Sequence, residues 1–282
     1  MALNFEELKG KTCIITGGGG VIGKAMATVL AAAKCNVVIL DLFKEAADKV
    51  AKEIKSEYNV KCEGITANVL DRLSLLKAKE EIIARFGKFD FLINAAGGNH
   101  PTATTKKEFI DPDDLTNLQD TFFGLNLEGF KHVFDLNFMG TLLPTLVFAE
   151  DMVHAGSGVI VNISSMNSFR PLTKIPAYSA AKASINNFTE WLAVHFAKAG
   201  VRVNGIAPGF FITKQNKFLL IDEKTGDFTE RGNKVITNTP MGKFGEPEDL
   251  QGTVLFLLSD LSKFITGVTI PVDGGFNAYS GV

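Results

Sequence analysis

Residues 12–23 read Thr12-Cys13-Ile14-Ile15-Thr16-Gly17-Gly18-Gly19-Gly20-Val21-Ile22-Gly23, a short β-branched run that breaks into glycines and opens at once into a helical pattern. Glycines let a backbone turn approach a ligand closely, and the helix amino terminus beyond them offers unpaired N–H groups and a positive dipole end. That combination suits a pyrophosphate, although a ligand-free tight turn has the same appearance. Asp41 separates the two readings. It closes the second apolar run about 20 residues on, where an acid hydrogen-bonds an adenosine ribose and repels a 2′-phosphate, so a dinucleotide is expected, NAD rather than NADP.

Outward from this stretch the same rhythm repeats. Residues 12–16, 37–41, 62–67, 89–94, 158–164, 202–207 and 268–272 read as strands, and 22–33, 44–56, 74–86, 131–154, 177–199 and 247–258 as helices. Strand–helix alternation of this kind predicts parallel βαβ units. The expected fold is α/β, a doubly wound parallel seven-stranded sheet of Rossmann type with helices on both faces, forming a single domain over residues 1–282. No repeat, low-complexity tract or linker divides it. Two connections, 97–129 and 208–246, are too long for simple crossovers and are the expected substrate loops, because such loops are usually functional.

Lys and Arg number 29 against 31 Asp and Glu, for a net charge of −2. The charges are spread along the chain, so neither nucleic acid nor an anionic membrane is an expected partner, and a small neutral or anionic ligand is. Cys13, Cys35 and Cys62 make an odd count near the amino end, which argues against a disulfide framework and for a reducing compartment. The amino-terminal residues lack a basic region followed by an apolar stretch, and no apolar run approaches the length of a membrane span. The expectation is a cytoplasmic protein that needs no metal.

Tyr178-Ser179-Ala180-Ala181-Lys182 lies inside a helical pattern, and a spacing of four places the phenol and the ammonium on one helix face. A tyrosine ionises near pH 10, too high for a base at neutral pH. An adjacent cation is expected to lower that value and make proton transfer possible.

With its neighbours, this pair identifies a family resemblance. Thr16-Gly17, Asn94-Ala95-Ala96-Gly97, Ser165 thirteen residues before Tyr178, Tyr178 with Lys182, and Pro208-Gly209 together resemble the short-chain dehydrogenase/reductase family over nearly the whole chain. Asn137 within Leu136-Asn137-Phe138-Met139-Gly140, Ile265-Thr266-Gly267 and Val272-Asp273-Gly274-Gly275 extend the match. The resemblance implies an NAD(P)-dependent oxidoreductase in which Tyr178 is the general acid/base and Lys182 holds the nicotinamide ribose. Ser165 would polarise the substrate oxygen, and Asn137 would anchor a water relaying protons to Lys182. Donors of this kind are what a developing alkoxide requires, while the hydride chemistry belongs to the cofactor.

The cofactor surface implied in the same way runs through Gly17, Gly19, Gly20, Val21, Ile22, Gly23, Asp41, Asn68, Val69, Asn94, Ala95, Gly97, Pro208, Gly209, Phe211 and Thr213, besides Tyr178 and Lys182. Asn94 would shape its floor and Thr213 would meet the nicotinamide carboxamide. Two positions depart from the family pattern: Val21 stands where a middle glycine is usual, and Asn68 where an Asp commonly meets the adenine.

Residues around the expected site are polar and cationic: Asn99, His100, Lys106 and Lys107; Asn167, Arg170 and Lys174; Lys214, Gln215 and Asn216. Buried hydroxyls need partners and a carboxylate is best met by Arg or Lys, so the mix suits a hydroxylated, carboxylated small molecule. Asn99, His100, Asn167 and Arg170 are the substrate candidates. The loop after Asn94 and the glycine turn are similar to those of the family's sugar-acid branch, which implies interconversion of D-mannonate and D-fructuronate. It also implies a homotetramer built through helices 131–154 and 177–199 and the last strand. Rival readings are the same chemistry on gluconate, another polyol or a 3-oxoacyl thioester. A non-catalytic dinucleotide-binding regulatory protein would be a different class, and the intact Ser165, Tyr178 and Lys182 argue against it.

Overall fold

A parallel strand covered on both faces can be apolar throughout, and the central runs 13–15, 37–40 and 91–93 are. The computed structural model describes residues 5–213 and 217–281, so Lys214, Gln215 and Asn216 lie outside the described residues. Among the described residues the strands are β1 (Thr12–Thr16), β2 (Asn36–Asp41), β3 (Cys62–Thr66), β4 (Phe91–Asn94), β5 (Gly158–Ile163), β6 (Val201–Pro208) and β7 (Thr269–Val272). They form one parallel sheet in the order β3-β2-β1-β4-β5-β6-β7. The order reverses between β1 and β4, and open α/β sheets bind ligands at the carboxyl ends of the strands flanking such a reversal.

Strand residues alternate between two cores. Cys13, Ile15, Val37, Ile39, Ile93 and Val161 pack on one face against α1 (Val21–Ala32), α2 (Lys44–Tyr58) and α8 (Gln251–Leu258). Ile14, Val38, Leu40, Leu92, Ile160 and Val203 pack on the other against α3 (Arg72–Phe86), α4 (Leu127–Ala155) and α5 (Pro176–Phe196). Cys13, Cys35 and Cys62 are buried, and desolvation pushes the thiols of Cys35 and Cys62 up to about 12.

The differences from expectation have local causes. Helix α4 starts at Leu127 rather than 131, because the Asn126 side chain accepts from the Gly129 N–H at 2.7 Å and caps it. By length and composition α4 is apolar enough to cross a bilayer, contrary to the sequence reading. It is instead a core helix: Phe148 is fully buried and meets Phe89 edge-on at 5.6 Å. The helix expected over 247–258 begins with a 3₁₀ turn, Pro247–Leu250, fixed by the Asp249 carboxylate accepting from the Glu246 N–H at 2.9 Å. The long connections also hold structure of their own: 3₁₀ turns at Pro101–Ala103, Pro112–Thr116 and Phe122–Gly124 in the first, and α6 (Lys217–Leu220) and α7 (Glu230–Thr237) in the second.

At the reversal, β1 and β4 are joined beyond their ladder by one side chain. The buried Thr16 hydroxyl accepts from the N–H groups of Ala95 at 3.0 Å and Ala96 at 3.1 Å. Replacing Thr16 by Val is isosteric but leaves both donors unpaired, at a cost of about 1–3 kcal/mol each where water cannot reach them. Urea unfolding should show a stability loss of that order for Thr16→Val and little loss for Thr16→Ser; equal stability of all three proteins would contradict the role given to the hydroxyl.

Candidate active site

The turn after β1 is shaped by what cannot fit into it. Gly17 has φ +64°, and a Cβ there would stand 2.8 Å from the Ala96 Cα. A Cβ on Gly23 would lie 2.4 Å from the Gly17 carbonyl oxygen, and one on Gly19 would lie 2.8 Å from the Ala46 Cβ. Helix α1 follows with Gly20 as its N-cap and no side chain bonded to its first-turn N–H groups. Asp41 closes the cradle: its carboxylate accepts from the Gly19 N–H at 3.0 Å and from the Phe43 N–H at 3.1 Å. Each oxygen keeps a further lone pair for a hydroxyl donor. A backbone-lined turn at a helix amino terminus, with a fixed carboxylate beside it, fits a dinucleotide. Gly19, Gly20 and Val21 line a cleft of about 600 Å³ together with Thr213. Ile22 packs on the core, so only its backbone belongs to the turn.

Other expected cofactor residues serve in different ways. Asn94 is buried: its amide nitrogen donates to Thr145 Oγ1 at 3.0 Å and Asn162 Oδ1 at 2.9 Å, tying β4 to α4 and β5, while its Oδ1 has no partner among the described residues. Asn68 uses its amide oxygen for the Leu70 N–H at 2.9 Å. Val69 is buried and would stand 3.1 Å from a Cβ on Gly140. Ala95 packs on the core, Pro208 ends β6, and a Cβ on Gly209 would meet the Asp273 Cα at 2.6 Å. Phe211 is buried, its backbone bridging to Gly245.

Asn137 is fully buried and acts as a clamp. Its amide donates to the Gly98 carbonyl at 2.7 Å and accepts from the Gly98 N–H at 3.2 Å, with a further bond to the Val133 carbonyl at 2.8 Å. Gly97 passes between Asn137 and Lys182, where a Cβ would stand 2.6 Å from Asn137 Oδ1 and 3.3 Å from Lys182 Nζ. The loop after β4 is thus held against α4 and α5 by backbone contact.

Ser165, Tyr178 and Lys182 come together as expected. The Ser165 hydroxyl faces Tyr178, where it opposes any rise of the phenol's pKa, and accepts from the Asn167 N–H at 3.2 Å. Lys182 is buried, donates to the Ile163 carbonyl at 2.8 Å and lies 5.5 Å from the centre of the Tyr178 ring. One expectation is corrected. Desolvation pushes the Tyr178 phenol above 10 despite the opposing Ser165 hydrogen bond, and desolvation also lowers Lys182 to about 7. Lys182 is buried and Tyr178 half-buried, and desolvation opposes charge on both, so the lysine does not lower the phenol in this state. The raised phenol keeps its proton at neutral pH.

Sequence reasoning missed Asn186, one further turn along the face that carries Tyr178 and Lys182. Its amide oxygen accepts from Ser164 Oγ at 2.6 Å and its nitrogen donates to Ser168 Oγ at 2.8 Å. Ser168 Oγ in turn donates to the Ser165 carbonyl at 2.6 Å, bracing the Ser165 turn against α5. The spacing of four, continued once more, was the available signal.

The substrate candidates divide. Asn99 bonds Thr104 Oγ1 at 3.0 Å, and His100 caps its own 3₁₀ turn with Nδ1 2.8 Å from Thr102 Oγ1, so both brace the loop. Lys106 pairs with Asp120 at 2.7 Å and Lys107 with Asp114, which removes two cations from the expected cluster. Asn167 is buried beside Ser165, its amide oxygen without a partner among the described residues. Arg170 reaches the Asn277 carbonyl through Nε at 2.6 Å. Among the described residues no group of His, Cys, Asp and Glu is placed to hold a metal ion.

A family model described as "Enoyl-(Acyl carrier protein) reductase" matches residues 19–277. The chain belongs to the short-chain dehydrogenase/reductase family. An "Uncharacterized oxidoreductase UxuB" of Bacillus subtilis is 52% identical over 98% of this chain and 98% of its own length. A solved structure from Haemophilus influenzae, provisionally described as a D-mannonate oxidoreductase with bound NAD, is 53% identical and superposes with TM-score 0.91 over 98% of both chains. A gluconate 5-dehydrogenase from Burkholderia cenocepacia, in complex with NADP and tartrate, is 28% identical with TM-score 0.81 over 98% of this chain and 99% of that one. The chain is therefore an oxidoreductase of this family, and the seven-stranded sheet is the family's fold.

Lys182 makes a stability prediction whose sign follows from linkage. Its pKa is about 7 folded against 10.5 for an exposed lysine, so the unfolded chain binds the extra proton between those values. The burden is fully present below pH 7 and fades as pH rises towards 10.5. It is on the order of 4 kcal/mol at neutral pH. Lys182→Met should stabilise the unliganded protein at pH 7, and its advantage over the wild type in urea midpoint should shrink by pH 9.5. An advantage that stayed constant with pH would disprove the buried-charge account.

Proposed function

We propose that the protein interconverts D-mannonate and D-fructuronate with NAD(H). The observation that carries the chemistry is the Ser165–Tyr178–Lys182 cluster standing at the same sheet edge as the glycine cradle and Asp41. The likeness to the Haemophilus influenzae structure, over nearly all of both chains, supports the substrate. Asn167, buried beside Ser165 with its amide oxygen unpartnered among the described residues, supports an oxygen-rich substrate over an acyl chain.

NAD(H), when bound, supplies or accepts the hydride. In the reductive direction Tyr178 gives its proton to the carbonyl oxygen while Ser165 hydrogen-bonds the same oxygen, so charge developing there meets two donors in place. In the oxidative direction Tyr178 takes the carbinol proton, and charged Lys182 stabilises the phenolate that results. Asp41, fixed by Gly19 and Phe43, would accept from the adenosine ribose and exclude a 2′-phosphate. Gly17, Gly19, Gly20 and Gly23 would hold the pyrophosphate with backbone alone.

The reading includes a cytoplasmic homotetramer. Leu146, Trp191 and Val194 on α4 and α5 are 60%, 57% and 81% exposed, an apolar face that burial against a second copy would cover.

Assays of NADH absorbance on D-mannonate, D-gluconate, D-mannitol and a 3-oxoacyl thioester should show D-mannonate turned over with the highest kcat/KM; turnover of the thioester alone would overturn the substrate reading. Tyr178→Phe should lower kcat by about 10²–10⁴-fold, the range of a lost general acid/base, with NADH affinity nearly unchanged. Asp41→Ala should weaken NAD binding and raise relative use of NADP, and a wild-type preference for NADP would contradict the role given to Asp41.

A further inference from the structure

Between the two long connections lies a cleft of about 450 Å³, within the size range of small-molecule sites. Its rim carries four cations, Arg170, Lys174, Arg231 and Lys234, against two carboxylates, Glu108 and Glu230. These cations are not equivalent. Lys234 on α7 pairs with Glu108 at 2.5 Å, and Arg170 is committed through Nε to the Asn277 carbonyl at 2.6 Å. Lys174 and Arg231 have no side-chain hydrogen-bond acceptor among the described residues. Both are near Glu108: the Lys234 hydrogen bond first, then the charges of Lys234, Lys174 and Arg231, hold its carboxyl below the usual range. With Glu108 neutralised by Lys234, Glu230 alone opposes the remaining positive charge.

The cleft is also lined by the residues that lead into α5 and out of β6, the elements that carry Tyr178 and end at Pro208. Lys174 lies four residues before Tyr178, and its carbonyl accepts from the Thr105 N–H at 2.9 Å, joining the first long loop to the amino end of α5. Phe210 follows Gly209 directly beyond β6 and meets Phe276 edge-on at 5.2 Å, so the wall between the cations is apolar. An anion brought against such a wall is partly desolvated, which strengthens charge-assisted hydrogen bonds to it. A guanidinium presents two parallel N–H groups that match a carboxylate.

We propose that Arg231, assisted by Lys174, receives the carboxylate of the substrate. This deepens the sugar-acid reading above and rests on it. Lys234 and Glu108 are positioning residues: their ion pair fixes α7, and with it Arg231, against the first long loop.

The test uses full-length enzyme as wild type, Arg231→Leu and Arg231→Lys, with D-mannonate as the probe. Three quantities are measured: KM and kcat for D-mannonate oxidation, calorimetric binding of D-mannonate to the enzyme–NADH complex, and NADH affinity. Arg231→Leu should raise KM and weaken calorimetric binding about 10- to 100-fold, with kcat changed less than about threefold and NADH affinity unchanged, as for loss of uniform binding by a charged hydrogen bond. Arg231→Lys should recover part of the loss. Unaltered D-mannonate affinity in Arg231→Leu, with wild-type turnover intact, would overturn the subsite and leave the proposed reaction standing. Wild-type binding of D-mannonate that depends on Arg231 but leads to no turnover would uphold the subsite and refute the reaction. A wild type that neither binds nor oxidises D-mannonate refutes both.

Discussion

One hydroxyl at the bottom of the cleft sets the rest of the site. Where the strand order reverses, the connections leaving β1 and β4 turn to opposite faces, and the backbone N–H groups of Ala95 and Ala96 have no ladder partner. Thr16 Oγ1 accepts from both. With that junction fixed, Gly17 can pass the Ala96 backbone only because it lacks a Cβ, and the glycine turn is aimed across the strand ends. Asn137 completes the frame by clamping Gly98 from α4. Cofactor cradle and catalytic cluster are therefore held in register by contacts to backbone, which substitutions of neighbouring side chains disturb little.

Placed beside this frame, Lys182 illustrates a conflict between folding and chemistry. A buried amine that donates to Ile163 and lies near a phenol costs the unliganded protein stability at neutral pH, because its charged form is poorly solvated. The same poor solvation brings its protonation equilibrium near neutrality, where a small change in surroundings shifts the balance between ammonium and amine. Groups held in this way are characteristic of functional sites rather than of optimised cores.

Much of this was legible in the sequence because it rests on short-range pattern. Strands buried on both faces are written as continuous β-branched runs, and a helix face is written as a spacing of four, which located Tyr178 and Lys182 together. Caps misplace boundaries by a few residues only, as at Asn126 and Asp249. The sign of the Tyr178 shift was not legible, since desolvation depends on everything packed around the phenol rather than on its helical neighbour. Nor were the duties of Asn94, His100, Lys106 and Lys107, whose partners are chosen by tertiary contact. The pairing of Lys234 with Glu108 joins residues 126 positions apart, and no local periodicity anticipates it.

The three buried cysteines have an experimental consequence. Cys13 in β1, Cys35 before β2 and Cys62 in β3 lie in the half of the sheet that carries the glycine turn and Asp41, and each is at most 2% exposed. Thiol-reactive probes can modify them only when that half of the molecule opens, so their labelling rate is a built-in clock for local unfolding. Because a ligand seated on the glycine turn must be released before those strands separate, slowing of the clock reports occupancy without any spectroscopic change in the ligand itself.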